Sequence, residues 1–185
     1  KSMKTFADMA DGIVVWGGDE AVRAARSMAD ITTKIISWGH KLSFAYVTPQ
    51  IKNDELYELA LHICETNQVF CSSCQGIFVD TEDETVMAEI GTRFFEELKR
   101  ANLKRGKADI GMRGRNTIRL YKDMLEKDCQ DHILSEQGVS VVMRKDSELE
   151  LSYLFRNVWV KKLPREHIIS SLKKHKNHLQ TCGLF

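Results

Sequence analysis

The chain has 185 residues, 43% of them hydrophobic, so it is long enough to bury a core of ordinary size. Its 27 Lys and Arg residues nearly balance 26 Asp and Glu residues, and the net charge of +1 excludes a general attraction for nucleic acid or anionic membrane. No run of about 18 apolar residues predicts a membrane span, and five cysteines, an odd number, indicate reduced thiols and a cytoplasmic location.

The first part of the chain alternates apolar runs with a helical pattern. Strands are predicted over Ile13–Trp16, Lys34–Trp38 and Ser43–Val47, and a helix is predicted over Asp19–Met28. This alternation is typical of an α/β fold with a mostly parallel sheet flanked by helices.

An amphipathic helix and an apolar strand then flank a cysteine. The helix is predicted over Asn53–Cys64, with Asn53 or Asp54 as its N-cap, and the strand over Gly76–Val79. A loop between two rigid elements is where a nucleophilic thiol would be held facing a cleft, so Cys71 is the candidate nucleophile. The residues alone leave open that Cys71 is a small buried hydrophobic side chain.

The second half of the chain predicts three more helices and three more strands. The helices run over Glu84–Lys99 with Thr81 or Asp83 as the N-cap, from an Asn116 cap to Glu126, and onward from Pro164. The strands run over Gly138–Met143, Leu154–Val160 and Leu179–Leu184. No internal repeat or low-complexity linker interrupts these elements.

Cys71 and Cys74 form a C-x-x-C pair, which also suggests a redox dithiol or half of a zinc site. A zinc site would need two more ligands at suitable spacing, and the sequence has no second C-x-x-C and no H-x-x-x-H, so no metal site is predicted. Redox pairs ordinarily stand at a helix N-terminus, whereas this pair leads from a helix into a strand. Cys74 is therefore interpreted as structural, and a thiol-disulfide protein using Cys71 and Cys74 remains the alternative.

Gly17 and Gly18 lie between a predicted strand and a predicted helix, where backbone amides could face a phosphate or a nicotinamide. Asp19 and Glu20 oppose a close phosphate. A tight turn with Asp19 as the N-cap explains the two glycines equally well.

His40 and three aromatic side chains are weaker candidates for function. His40 could help to activate a thiol, or it could be a hydrogen-bonded structural residue at a strand end. Trp16, Trp38 and Phe70 could line an acyl channel or could simply fill the core.

Four segments together resemble the aldehyde dehydrogenase superfamily, and in particular the LuxC-type fatty acyl-CoA reductases of bacterial luminescence systems. They are Ile13–Val22, Ser37–Lys41, Asn67–Val79 and Leu179–Gly183. They resemble, in that order, the strand, turn and helix near the nicotinamide cofactor, the Gly-Lys segment at the domain crossover, the active-site cysteine segment, and a late strand. The resemblance implies that Cys71 is the nucleophile and that Gly17 and Gly18 lie near NADPH.

The resemblance further implies NADPH-dependent reduction of a fatty acyl-CoA or acyl-protein to a fatty aldehyde through an acyl-cysteine. It implies an acyl-protein synthetase and an acyl transferase as partners, and a homo-oligomer in the full-length protein. It divides the chain into residues 1–41, the last part of the NADP-binding domain, and residues 42–185, the catalytic domain, truncated at both ends. We expect residues 1–185 alone to be inactive, and a catalytically silent interaction domain of the same fold is a further alternative.

Ser37 departs from the pattern of the superfamily. In many aldehyde dehydrogenases a glutamate at this place is the general base for the water that hydrolyses the acyl-enzyme, and Ser37 stands 34 positions before Cys71, the interval that pattern expects. A serine cannot deprotonate water at neutral pH. The departure predicts that the acyl group arrives or leaves on a thiol and is not hydrolysed to an acid.

Overall fold

The computed structural model describes residues 2–106, 110–126 and 132–185. The chain divides into two compact units, Lys1–Lys41 and Leu42–Phe185. No helix within the described ranges combines the length and the apolar content that a bilayer span requires. The assignment of the two units to a cofactor domain and a catalytic domain stays a prediction.

The first unit is a two-stranded parallel sheet with two helices. Its elements are α1 (Ser2–Met9), β1 (Gly12–Trp16), α2 (Asp19–Met28) and β2 (Lys34–Trp38). The two strands pair in parallel along their whole length, from Gly12 opposite Lys34 to Trp16 opposite Trp38. The predictions of β1, α2 and β2 are confirmed, whereas α1 escaped prediction because it has neither an acidic first turn nor a basic last turn.

The second unit is built on a six-stranded sheet. Its elements are β3 (Leu42–Val47), α3 (Asn53–Thr66), β4 (Cys74–Val79), α4 (Glu84–Arg105), α5 (Ile110–Glu126), β5 (His132–Glu136), β6 (Val139–Arg144), β7 (Asn157–Lys162), α6 (Ile168–Leu172) and β8 (Leu179–Leu184). The strand order is β5-β6-β7-β4-β3-β8. Among the described strands β5 alone runs antiparallel, in a hairpin with β6, so the predicted mostly parallel α/β sheet is confirmed.

Both faces of this sheet are covered. Strands β4 and β6 are buried along their whole length, as parallel strands covered on two sides are. On one face Ile63 of α3 and Phe94 of α4 join the main core, and on the other Phe78, Trp159 and Leu172 form a second cluster. The cysteine-bearing loop is therefore attached to the most buried part of the unit.

Two helix predictions needed correction at their starts. The N-cap of α3 is Lys52, and not Asn53 or Asp54, because the Lys52 N–H donates to Glu55 Oε2 at 2.8 Å. The predicted helix start at Asn116 was wrong, because residues 110–115 are already helical.

The cap of α4 was predicted correctly at Asp83, whose Oδ1 accepts a hydrogen bond from the Thr85 N–H at 2.7 Å. Its end was predicted at Lys99, but the helix continues to Arg105, because its buried face extends through Ala101 and Asn102.

Strand boundaries differ beside the cysteine loop. Strand β4 begins at Cys74 and not at Gly76, so the second cysteine of the C-x-x-C pair is part of the sheet. Strand β7 begins at Asn157 and not at Leu154, because residues 154–156 have left-handed backbone that cannot continue a strand. Cys74 and Arg156, the residues at these two boundaries, both form hydrogen bonds with the start of the cysteine loop.

Candidate active site

Cys71 lies in the loop between α3 and β4, at the amino ends of parallel strands. Its thiol is free and the residue is exposed. The Ser73 N–H donates to Phe70 O at 3.0 Å and the Phe70 N–H donates to Ser73 Oγ at 3.0 Å, which closes a four-residue turn with Cys71 in its second position. The turn holds Cys71 at the surface between α3 and β4, where the sequence analysis placed it, and its role as the nucleophile stays a prediction.

The main chain of Cys71 is anchored on one side and open on the other. Its C=O accepts a hydrogen bond from the buried Ser43 Oγ at 2.7 Å, and the same Oγ accepts from the Thr181 N–H at 3.1 Å. Within the described residues no group accepts a hydrogen bond from the Cys71 N–H. This N–H is available to bind an oxyanion that develops on a substrate.

Two buried glutamines bridge the ends of the loop. Gln68 Nε2 donates to the C=O groups of Cys74 and Gln75, each at 3.2 Å, and Gln75 Nε2 donates to the C=O of Gln68 at 3.0 Å. Gln75 Oε1 accepts from Ser152 Oγ at 2.8 Å. Because a buried amide without partners costs about 1–3 kcal/mol, these reciprocal bonds stabilise one loop conformation.

Arg156, which is distant in sequence, binds the start of the loop through its side chain. Its Nε donates to Asn67 Oδ1 at 3.1 Å and its Nη2 to the Cys64 C=O at 3.2 Å, both at the carboxyl end of α3. Its Nη1 donates to the Gly106 C=O at 2.7 Å and to Asn102 Oδ1, at the carboxyl end of α4. Carbonyl groups at the carboxyl end of a helix lack hydrogen-bond donors within the helix, and here the buried guanidinium of Arg156 donates to them.

Five non-glycine residues at the base of the loop have left-handed backbone. They are Asn67 (φ 46°), Gln68 (φ 62°), Leu154 (φ 60°), Phe155 (φ 49°) and Arg156 (φ 71°). The Phe155 N–H donates to the Asn67 C=O at 2.9 Å, and the Arg156 N–H donates to Gln68 Oε1 at 3.0 Å, so the two runs hold each other. The conformation costs about 1–2 kcal/mol per residue, and such strain is concentrated at functional sites.

Cys74 is a buried thiol with its own partner. It is 5% exposed, its Sγ donates to the Gly76 C=O at 3.2 Å, and burial raises its pKa to about 12. Burial likewise raises the pKa of Cys64 to about 11. Both thiols stay protonated and unreactive near neutral pH. This disfavours the thiol-disulfide alternative, and the described residues contain no group of three or more side chains placed to bind a metal.

We expect iodoacetamide at about pH 7.5 to modify Cys71 in the folded protein and to leave Cys74 and Cys64 unmodified. At about pH 9.5 Cys74 should still not react with iodoacetamide, because its thiol pKa is about 12 and its sulfur is covered. Timed quenching followed by peptide mass mapping measures each rate. In about 8 M urea all three thiols should react, and modification of native Cys74 as fast as Cys71 would contradict the interpretation of Cys74 as structural.

The turn that was predicted to approach a cofactor lies at the carboxyl end of β1. The Gly17 N–H donates to the Trp38 C=O at 3.2 Å and is not open to a ligand. Gly18 is the N-cap of α2, where Asp19 was expected, and a Cβ added to Gly18 would meet no atom within 4 Å. Asp19 and Glu20 occupy the first turn of α2, so their charge opposes a phosphate and is compatible with an uncharged part of a cofactor.

The other candidates of the first unit lie on or beside β2. Ser37 Oγ accepts a hydrogen bond from Arg26 Nη2 at 3.2 Å, and His40 is an exposed residue after the strand. Trp16 and Trp38 stack with ring centroids 4.6 Å apart and planes 12° apart, and both are exposed, so they do not fill the core of this unit. The roles of these residues stay predictions.

A cavity of about 350 Å³ opens beside the cysteine loop in the second unit. Ser72 of the loop and Cys74 at the start of β4 line it, with Leu59 of α3 and Phe185 supplying apolar surface and His62 a polar group. Phe70, which was considered for an acyl channel, is 59% exposed next to Cys71. The loop therefore stands next to space that an apolar chain could enter.

A family model described as acyl-CoA reductase (LuxC) matches residues 1–185. No curated protein sequence matches the chain.

Solved structures of aldehyde dehydrogenases are similar to the chain in fold. One, described as aldehyde dehydrogenase PutA from Anabaena variabilis, has a TM-score of 0.63 and 14% identity over 99% of this chain and 48% of that chain. A structure described as methylmalonate-semialdehyde dehydrogenase from Sinorhizobium meliloti 1021, complexed with NAD, has a TM-score of 0.59 and 12% identity over 89% of this chain and 38% of that chain. The Delta-pyrroline-5-carboxylate dehydrogenase from Mycobacterium tuberculosis has a TM-score of 0.59 and 10% identity over 99% and 44%.

These similarities show that the chain has the aldehyde dehydrogenase fold, as the sequence predicted. The chain spans less than half the length of each of these three structures.

Proposed function

Since the chain belongs to the LuxC acyl-CoA reductase family, we propose that it supplies the nucleophile, Cys71, of an enzyme that reduces a fatty acyl thioester to a fatty aldehyde with NADPH. The observation that supports this most directly is the Cys71 turn. It combines an exposed free thiol, an open backbone N–H at the same residue, and a backbone C=O anchored by the buried Ser43. A reactive thiol on a rigid scaffold is what attack on a thioester requires.

The Cys71 thiolate attacks the carbonyl carbon of the acyl thioester. A bond forms between Cys71 Sγ and that carbon, and the bond to the sulfur of coenzyme A then breaks, so that coenzyme A leaves with the electron pair and an acyl-cysteine remains. The negative charge that develops on the carbonyl oxygen meets the Cys71 N–H, a type of donor worth about 3–4 kcal/mol. Exchange of one thioester for another is nearly balanced in energy, so this step needs no external driving force.

The turn at Gly17 and Gly18 fits a part of the cofactor. The open space over Gly18 admits a ligand, and the carboxylates of Asp19 and Glu20 favour an uncharged group such as the nicotinamide over a phosphate. NADPH, when bound, supplies the hydride that reduces the acyl group. Residues 1–41 would thus hold the nicotinamide end of the cofactor.

The family relation also supports a set of broader proposals. We propose a long-chain acyl-CoA or acyl-protein as the substrate, an acyl-protein synthetase and an acyl transferase as partners, a homo-oligomeric protein and a cytoplasmic location. His40 is proposed as a group that helps to activate the thiol.

Aldehyde formation tests the proposed function. We expect the full-length protein, given a long-chain acyl-CoA and NADPH, to release one fatty aldehyde for each NADPH oxidised, with mass spectrometry and absorbance at 340 nm as the two readouts. The Cys74→Ala variant is the matched control and should retain the activity, because Cys74 is buried within β4. A folded protein that forms neither aldehyde nor acyl-cysteine would instead support the catalytically silent alternative.

A further inference from the structure

We infer that Arg156 is a positioning residue that sets the place of the Cys71 sulfur, an inference that rests on the proposed role of Cys71. Arg156 makes no contact with Cys71 among the described interactions. It acts through Asn67 and Gln68, the two left-handed residues with which the cysteine loop begins.

The guanidinium of Arg156 joins three elements at one point. Arg156 is 4% exposed, and its side-chain donors reach the carboxyl end of α3 at Cys64 and Asn67 and the carboxyl end of α4 at Asn102 and Gly106. Arg156 itself immediately precedes β7. Because a guanidinium is planar and presents its five N–H groups in a fixed fork, the relative placement of these ends follows from one rigid group.

The main chain of Arg156 extends this connection across the base of the loop. Its N–H donates to Gln68 Oε1 at 3.0 Å, and Gln68 Nε2 donates to the C=O groups of Cys74 and Gln75. Cys71 stands between these two attachment points, three residues after Gln68 and three before Cys74. A displacement of Gln68 therefore displaces Cys71.

The left-handed backbone explains why the arginine is needed there. Asn67 and Gln68 have φ values of 46° and 62°, a conformation that residues with a side chain adopt only when their surroundings impose it. Without the fork, Asn67 and Gln68 would relax toward right-handed or extended backbone and would re-aim residues 69–73. The thiol would be chemically unchanged but misplaced, and a misplacement of about 1 Å can lower a rate about 100-fold.

Arg156→Lys is the test variant, because it keeps the charge but cannot reach four acceptors at once. In the full-length protein we expect acylation of Cys71 at saturating acyl-CoA to slow by about 10- to 100-fold, with the half-saturating concentration changed by less than about 3-fold. Rapid quenching and mass spectrometry measure the rate, and thermal unfolding identifies a temperature at which every variant is folded.

Arg93→Lys is the matched control. Arg93 binds the opposite end of α3 with the same kinds of acceptor, the Ile51 C=O at 2.6 Å and Asn53 Oδ1 at 2.9 Å. Its replacement should lower stability without slowing acylation. An equal loss of rate in the folded Arg93→Lys variant, or a wild-type rate in Arg156→Lys, would overturn the inference.

A rescue variant separates positioning from general destabilisation. Glycine adopts positive φ without a steric penalty, so Asn67→Gly in the Arg156→Lys background should recover at least about 3-fold of the lost rate, measured where both variants are folded. The absence of any recovery would count against a role through the loop backbone.

Alkylation of Cys71 by iodoacetamide needs no acyl-CoA and keeps the two proposals apart. If the wild-type protein is not acylated, the proposed function fails, and the positioning role is then judged by alkylation alone. That rate should change at least about 3-fold in Arg156→Lys and remain unchanged in Arg93→Lys. Equal alkylation in all three proteins would overturn the positioning role by itself.

Discussion

Replacing Cys71 with alanine should abolish covalent labelling of the full-length protein by a long-chain acyl-CoA. Cys71 is an exposed free thiol in the turn 70–73, and removal of a nucleophile typically lowers a rate by about 10⁶-fold, which puts the label below detection. Cys74→Ala should keep the label, because burial of the Cys74 thiol holds its pKa at about 12. Mass mapping of the acylated peptide after digestion measures both outcomes.

Cys182 provides a second comparison, since it too is an exposed free thiol, on the edge strand β8. Partial burial of its sulfur raises its pKa, so at neutral pH a smaller fraction of it is thiolate than for an ordinary thiol. We expect Cys182→Ala to label as the wild type does. Loss of the label in the Cys74 variant alone would move the nucleophile from Cys71 to Cys74.

The parallel sheet could be predicted from the sequence because its signals are local. Apolar β-branched runs such as Ile13–Trp16 and Gly76–Val79 alternate with helical patterns such as Asn53–Cys64, and each was recovered within a few residues of its observed bounds. The hairpin strand β5 escaped prediction, because only Ile133 and Leu134 in it are partly buried and the pattern is correspondingly weak.

The support of the cysteine loop could not be predicted in the same way. Gln68 and Arg156 are 88 positions apart in sequence, and no periodicity or motif signals a side chain that must satisfy a distant backbone. Left-handed backbone is ordinarily signalled by glycine, and the run Asn67–Gln68 contains none. The asparagine at the end of α3 was the one available sign, because asparagine tolerates this conformation at helix ends.

Placing a glutamate at Ser37 should divert the proposed reductase toward hydrolysis. A positioned general base is worth about 10²- to 10⁴-fold, so Ser37→Glu should shorten the lifetime of the acyl-enzyme formed without NADPH by about that factor. In the presence of NADPH part of the product should change from fatty aldehyde to fatty acid. The unmodified protein, which has a serine there, should hold a long-lived acyl-cysteine.

Arg26 already faces this position. Its Nη2 lies 3.2 Å from Ser37 Oγ, so its positive charge would lower the pKa of a carboxyl group placed there. The carboxylate would be ionised but a weaker base, which puts the expected effect toward the lower end of that range. Decay of radiolabelled acyl-enzyme in quenched samples measures the lifetime. The control is Ser37→Gln: glutamine is as long as glutamate but carries no carboxylate, so this variant should leave the acyl-enzyme lifetime unchanged. Rapid hydrolysis in the unmodified protein would show that another group, with His40 the first candidate, already serves as the base, and that the serine does not determine the fate of the acyl group.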